Sequence, residues 1–341
     1  MEKLKKGAAG KGGHWSEQKE AASLSLMRLF FVLIKLFPSF ILKLIAFPVG
    51  FSYFLFTKKA RTASRRFLDR VAAEQRRGLK LTPGVEPTPG VKPGVPRLSV
   101  LKNFIAFALT LIEKADSWMG RVSFDGVELK DDAALLTGGL EEGRGAALIC
   151  SHIGNMELLR ALADYKRTGL SREVPVTSVA DFNTFFNDMI QSLNPRSKLR
   201  IINANEIGPE TVIFLGEQIS AGGLMVIAGD RTSAGLRDRI FSIPFLGAPA
   251  PFPQGVFLLA ALLEAPVYAV FGLRRRDISL RADYDMHIHR IGGPGSGLSR
   301  GGRQKLAESC AARFAALLEQ YCLQYPHQWY NFYDFWAGGI V

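Results

Sequence analysis

Beyond residue 120 the chain alternates between two patterns. Short apolar runs at 122–127, 146–150, 174–180, 199–202, 224–228, 267–272 and 286–291 are separated by helical periodicity at 156–165, 184–192, 209–220 and 254–263. Runs this short, apolar on both faces and bounded by glycine or polar residues, predict strands buried from both sides. The expected class is α/β: a mixed, largely parallel sheet flanked by helices. A helix at 98–119 leads into this region, and another at 303–323 closes it ahead of an aromatic tail. In open sheets of this kind the chemistry gathers at the carboxyl ends of strands, on loops that lead into helices.

The N-terminal part reads differently. Residues 27–56, MRLFFVLIKLFPSFILKLIAFPVGFSYFLF, form the most apolar tract of the chain. A spanning helix needs about 20 apolar residues with few charges, whereas Arg28, Lys35, Lys43, Pro38 and Pro48 interrupt this one. Read as one helix, the three basic side chains share a narrow stripe. That is the pattern of a helix lying in a bilayer interface, its lysine stems reaching toward the headgroups. Basic residues flank the tract on both sides, with nine between Lys58 and Lys80. A single crossing concentrates them on one side, so a monotopic or re-entrant anchor is expected; a true span and a buried core hairpin are the alternatives. A cleaved signal peptide does not fit, because 26 residues precede the tract and no small-residue cleavage site ends it.

Three regions are expected: a basic membrane-anchoring segment over 1–82, a Pro/Gly linker over 83–97 (PGVEPTPGVKPGVP at its heart) and a main domain over 98–341. The formal charge of +12 predicts an anionic partner, such as a membrane surface or an acidic carrier. Nucleic acid is not expected: Phe67 is the one aromatic between Arg61 and Arg77, and no zinc-finger or RNP pattern occurs. Cys150, Cys310 and Cys322 lack CxxC spacing, so neither a disulfide framework nor a cysteine metal site is predicted. His287 and His289 alternate on a strand and share a face, but with no cysteine and no acid placed to complete a set, no metal is expected.

One strand end stands out. AALIC (146–150) is followed at once by SHIGNME (151–157). His152 projects from the strand end, Gly154 permits a tight turn, and Asn155 is a reasonable N-cap for the helix that follows. Glu157 then falls in the first turn, where it can reach one imidazole nitrogen and leave the other as a base. H-x4-E spacing arises readily by chance, and a capped turn with a surface histidine is the plain alternative.

SHIGNMELLRAL resembles the first signature block of the lysophospholipid acyltransferase-like superfamily, H-x4-[DE], in the glutamate form of the lipid A secondary (late) acyltransferase branch. Further stretches are similar to that branch: Ala228-Gly229-Asp230-Arg231 after a strand, then Phe245-Leu246-Gly247 with Phe252-Pro253-Gln254-Gly255 and LLAALLEAPVYAVFGLR. The tail YPHQWYNFYDFW (325–336) and the early HWSEQKEAASLSLMRL resemble a bacterial subgroup of predicted acyltransferases. The resemblance covers most of the chain except the PGV linker.

The resemblance implies a glycerolipid acyltransferase-like fold and acyl transfer from an acyl carrier protein or coenzyme A thioester to a hydroxyl of a lipid or glycolipid. The setting it implies is the cytoplasmic face of a bacterial inner membrane. His152 would be the general base and Glu157 its orienting partner, with no cofactor beyond the co-substrate and no metal. Asn155, Arg160, Asn183, Gly229, Asp230, Arg231 and Gly255 would line the substrate site. Each has a plainer reading: Asp230 and Arg231 as a surface ion pair, Arg160 as an i,i+3 partner of Glu157, and Gly255 as a phosphate contact at a helix start or a packing glycine. Asp181-Phe182-Asn183 departs from the family's usual second block. A lipid-binding scaffold and an acyl-ester or thioester hydrolase are the competing functions, the latter weakened by the lack of a G-x-S-x-G elbow.

Overall fold

A computed structural model of the chain describes residues 24–78, 100–119, 121, 126–163, 170–171, 174–180, 200–231, 239–294 and 296–338. The 83–97 linker, Asn183 and the 184–192 helix candidate lie outside them.

Pro38 divides the apolar tract into α1 (Leu24–Leu36) and α2 (Ser39–Phe56). The proline ring disfavours helical geometry in its predecessor and removes an N–H, and the chain breaks there, whereas Pro48 is carried inside α2. At the far end of α2, the Arg61 guanidinium bonds the carbonyls of Phe54 and Leu55, which have no partner within their own helix. Arg61 belongs to α3 (Lys58–Arg77), whose basic residues alternate with a buried face of Ala60, Ala63, Ser64, Phe67, Leu68, Val71 and Ala72. Phe67, Leu68 and Val71 join the same hydrophobic cluster as the sheet. α4 (Val100–Trp118) lies on α1 and α2 through Leu109, Ile112 and Ala115 against Phe31, Ile34, Leu42 and Ala46. The N-terminal helices thus pack directly on the sheet-bearing part.

The seven-stranded sheet comprises β1 (Val127–Asp131), β2 (Ala146–Cys150), β3 (Val176–Ala180), β4 (Arg200–Asn203), β5 (Leu224–Ala228), β8 (Val267–Arg274) and β9 (Tyr284–Gly292), in the order β1-β9-β8-β2-β5-β3-β4. All neighbours are parallel except β8 and β9. The class is α/β with a mixed, mostly parallel sheet flanked by helices. Helices α5 (Ala133–Glu141), α6 (Pro209–Ser220), α7 (Gln254–Leu262) and α8 (Arg300–Gln324) complete the regular structure with a separate hairpin, β6 (Ile240–Phe245) and β7 (Ala248–Pro253). Central strand β2 is buried at every position. Each such Leu or Ile contributes about 1.5–3 kcal/mol by leaving water.

Lys43 does not join a stripe facing lipid headgroups. It is 6% exposed and its ammonium lies 3.0 Å from Glu113 of α4, donating also to the Leu280 carbonyl. The break at Pro38 rotates α2 relative to α1, turning Lys43 inward. What α1, α2 and the turn between them present outward is mostly apolar: Leu29, Val32, Leu36, Phe37, Phe40, Leu44, Ile45, Val49, Phe51, Leu55 and Phe56 are exposed, with Lys35 and Ser52 among them. α2 is long and apolar enough to cross a membrane.

Candidate active site

β2 and β5 are adjacent and in register, Cys150 opposite Ala228. Two residues past each end stand His152 and Asp230, side by side because their strands are. Gly229 donates its N–H to the Cys150 carbonyl at 2.8 Å. A Cβ on Gly229 would stand 2.6 Å from Ile149 Cγ2, so close packing alone explains this glycine. His152 Nδ1 and Asp230 Oδ1 are 2.7 Å apart, the His152 backbone N–H donates to Oδ2 at 2.8 Å, and the Trp329 indole N–H donates to Oδ2 at 3.0 Å. Asp230 is wholly buried and clamped from three directions.

Where the H-x4-E spacing places Glu157 at the ring, the carboxylate at Nδ1 is Asp230. Gly154, at φ +63°, turns the chain away; a Cβ there would lie 2.0 Å from the Gly272 carbonyl oxygen. Backbone bonds then pin the turn, from Gly154 N–H to the Gln328 carbonyl at 2.8 Å and from Asn155 N–H to the Gly272 carbonyl at 2.8 Å. Glu157 is half-buried in a 3₁₀ segment (Met156–Ala163) instead of the α-helix expected. Among its influences is the nearby Lys114 ammonium of α4, which burial pushes down and the Glu157 charge pulls back up.

Asn155 does act as a turn cap: its Oδ1 accepts the Glu157 N–H at 3.1 Å. Its Nδ2, on a side chain with no exposure, has no hydrogen-bond partner among the described residues. Arg231 follows Asp230 directly and donates from Nη2 to the Tyr330 carbonyl at 3.1 Å. His152, Asp230, Arg231, Asn155 and Glu157 are thus brought together. Arg160 lies on the 3₁₀ segment, where residues three apart share a face with Glu157, but its side chain is outside the described residues. Gly255 sits in the first turn of α7, after the separate hairpin. It is exposed and a Cβ there meets nothing within 4 Å, so packing does not call for a glycine.

Electrostatics favour a neutral ring beside an ionised acid. Burial, then Arg231, lowers the His152 pKa to about 4 against the pull of Asp230, although 21% of the side chain remains exposed. Burial opposes ionisation of Asp230, but the His152 ring and backbone and the Arg231 charge hold it below the usual carboxylate range. An ionised carboxylate only accepts, so Nδ1 carries the proton and Nε2 keeps its lone pair. That tautomer can take a proton from a hydroxyl, and Asp230 stabilises the imidazolium that forms. Cys150 is no nucleophile: burial pushes its thiol far up, and its sulfur lies 3.4 Å from the Ile227 carbonyl oxygen.

The aromatic tail, to which sequence pattern alone assigns no role, reaches the site. Residues 328–330 run along the histidine loop as an extra strand piece: Ile153 bridges Trp329, and the Tyr330 N–H donates to the His152 carbonyl at 3.1 Å. The Gln328 amide in turn pairs with the Arg274 backbone, at 2.9 Å to its N–H and 2.8 Å to its carbonyl. Arg274 lies 3.2 Å from Glu113, the partner of Lys43. A buried path therefore leads from α2 through Lys43, Glu113, Arg274 and Gln328 to the histidine loop. The signal for it was a glutamine and two aromatics in a tail otherwise read only as a motif. Compared with known proteins, the chain matches no family model and no curated protein.

Proposed function

We propose that the protein is a membrane-associated O-acyltransferase that moves a fatty acyl group from a carrier-protein or coenzyme A thioester to a hydroxyl of a lipid or glycolipid. The observation that carries this reading is the His152–Asp230 pair at a strand end, tied through buried contacts to helices whose outer face is apolar. The resemblance of the residues around both members of the pair to glycerolipid-type acyltransferases supports it. So does the absence of a usable cysteine nucleophile, since the acceptor can attack the thioester directly.

In the proposed step, His152 Nε2 takes the hydroxyl proton as the acceptor oxygen attacks the thioester carbon. The tetrahedral intermediate collapses, the C–S bond breaks, and the thiolate takes the proton back from the imidazolium. An ester and a free thiol result. The transient oxyanion needs donors; the Asn155 Nδ2 and the Arg231 guanidinium are the candidates at hand. Asp230 acts by holding the tautomer, and Glu157 by balancing the cationic surroundings. The basic surface suits an acidic carrier, and Gly255 remains available to a phosphate at the start of α7.

The anchor is read as monotopic on the cytoplasmic face of a bacterial inner membrane, with α1 and α2 sunk into one leaflet. Glutamate at Phe40 and Val49, which are 62% and 55% exposed, is expected to release the protein from anionic vesicles; unchanged binding would sink the anchor reading. The activity is tested by giving purified protein labelled acyl carrier protein and a lipid extract. Transfer lost in His152→Ala supports the proposal. Acyl release without transfer would make the protein a hydrolase, and lipid binding without turnover a scaffold.

A further inference from the structure

A second histidine cluster lies across the sheet. His287 and His289 share a face of β9, and parallel neighbour β1 places Asp131 opposite Ile288, between them. Asp131 Oδ2 is 2.7 Å from His287 Nδ1 and 3.5 Å from His289 Nε2. The two rings are nearly parallel, 6° apart in plane and 6.4 Å between centroids. One donor atom from each of the three residues lies within 4.8 Å of the others.

Two further observations set this cluster apart from an ordinary hydrogen-bonded surface group. His287 and His289 are each 7% exposed, so both rings are held inside the protein with Asp131 at Nδ1 of the first. Asp131 holds its backbone at φ 60°, a left-handed conformation that costs a residue with a Cβ and persists where the surroundings enforce it. The acid that sequence spacing could not supply comes from a strand more than 150 residues earlier, as the His287–Asp131 contact spans 156 positions.

We propose that Asp131, His287 and His289 form a binding site for a divalent transition metal of the zinc class. Two imidazoles and a carboxylate are a donor set that Zn²⁺ accepts, usually in a tetrahedron at about 2.0–2.1 Å per ligand. Such a tetrahedron spaces its donors about 3.3 Å apart, and the separations of Asp131 from the two rings, 2.7 and 3.5 Å, lie on either side of that value. A water supplies the fourth position, and the Tyr321 hydroxyl of α8, 2.6 Å from His289 Nε2, gives up that contact to the metal. A metal there joins edge strand β1 to β9 and to the helix that carries the tail. The site uses neither His152 nor Asp230 and does not depend on the acyl-transfer reading.

The test is titration of full-length, chelator-stripped protein in detergent with Zn²⁺ by calorimetry, and with Co²⁺ by visible absorption. One equivalent per chain, with the intense absorption of tetrahedral Co²⁺ and a raised melting temperature, is the expected result. Asp131→Asn and His289→Gln should each weaken affinity at least about tenfold, while His152→Gln leaves it unchanged. The proposal is overturned if the wild type takes up no more metal than a His287→Gln/His289→Gln double variant shown by circular dichroism to be folded. It is also overturned if His152→Gln abolishes uptake.

Discussion

His152–Asp230 and His327–Asp277 are built from the same two residue types through the same ring nitrogen, at 2.7 and 2.9 Å. They differ in what surrounds them. The His327 side chain is 3% exposed, and Asp277 also takes Lys102 at 2.8 Å and the Gln328 amide at 3.0 Å. Against burial, the hydrogen bonds from His327 and Lys102 hold the Asp277 carboxyl far below its usual range. His152 keeps 21% of its side chain open, and among the described residues its acid is bound by the groups that aim the ring and by Trp329. A histidine–aspartate pair is therefore not a site by virtue of its hydrogen bond. The open ring edge makes the first a candidate site, and the extra ligands of Asp277 make the other a brace.

The largest effects should separate the two pairs. His152→Ala is expected to lower the transfer rate about 10²–10⁴-fold with little change in melting temperature. His327→Ala should cost about 2 kcal/mol of stability and leave the rate of the folded protein within a few-fold; the reverse pattern, read by chemical denaturation and turnover, would exchange their roles. Asp230→Asn should cost about a thousandfold by spoiling the tautomer, and Glu157→Gln less than about tenfold. If Glu157→Gln proves the more damaging, the orienting role returns to the residue that the H-x4-E spacing first indicated.

Smaller effects sharpen the picture. Lys43→Met leaves Glu113 with Arg274 but strips a buried charge of a partner, so a loss of up to about 3 kcal/mol is expected by urea unfolding. With its pKa near 4, His152 should stay a base down to about pH 5, and the transfer rate should hold there. Its stability signature has a definite sign. The folded pKa lies below the unfolded value of about 6.5, so the unfolded chain binds the extra proton between those values. Stability is then full above about pH 6.5 and falls as the pH drops toward 4, more steeply than in His152→Asn. Least of all, Gly255→Ala should change stability by no more than about 1 kcal/mol, whereas Gly229→Ala, meeting Ile149 at 2.6 Å, should cost clearly more.

Local pattern was legible where the chain is locally consistent. β2, β5 and α6 fall at the positions their apolar runs and glycine or proline boundaries indicate. The β6–β7 hairpin was missed because Pro244, Pro249, Pro251 and Pro253 argue against strands. Proline at alternate positions of β7 directs every missing N–H to one edge, which a two-stranded ribbon tolerates. α5 carries two glycines and escaped notice for the same reason of composition. The partner of His152 was out of reach in principle, since it depends on β2 and β5 lying side by side across 78 positions of sequence. Lys43 was misplaced because a stripe is meaningful only while the helix stays unbroken.

The strand-like run of residues 328–330 along the histidine loop has a consequence for biosynthesis. Trp329 follows Asp230 by 99 positions and His152 by still more. A nascent chain that has already emerged with its base and its acid lacks the indole that clamps the acid and the backbone that straps down the loop. The apolar helices, by contrast, emerge first and can meet a membrane at once. On the proposed reading attachment precedes competence: the ring is fixed for chemistry only after the apolar helices can reach the surface where the proposed substrates reside.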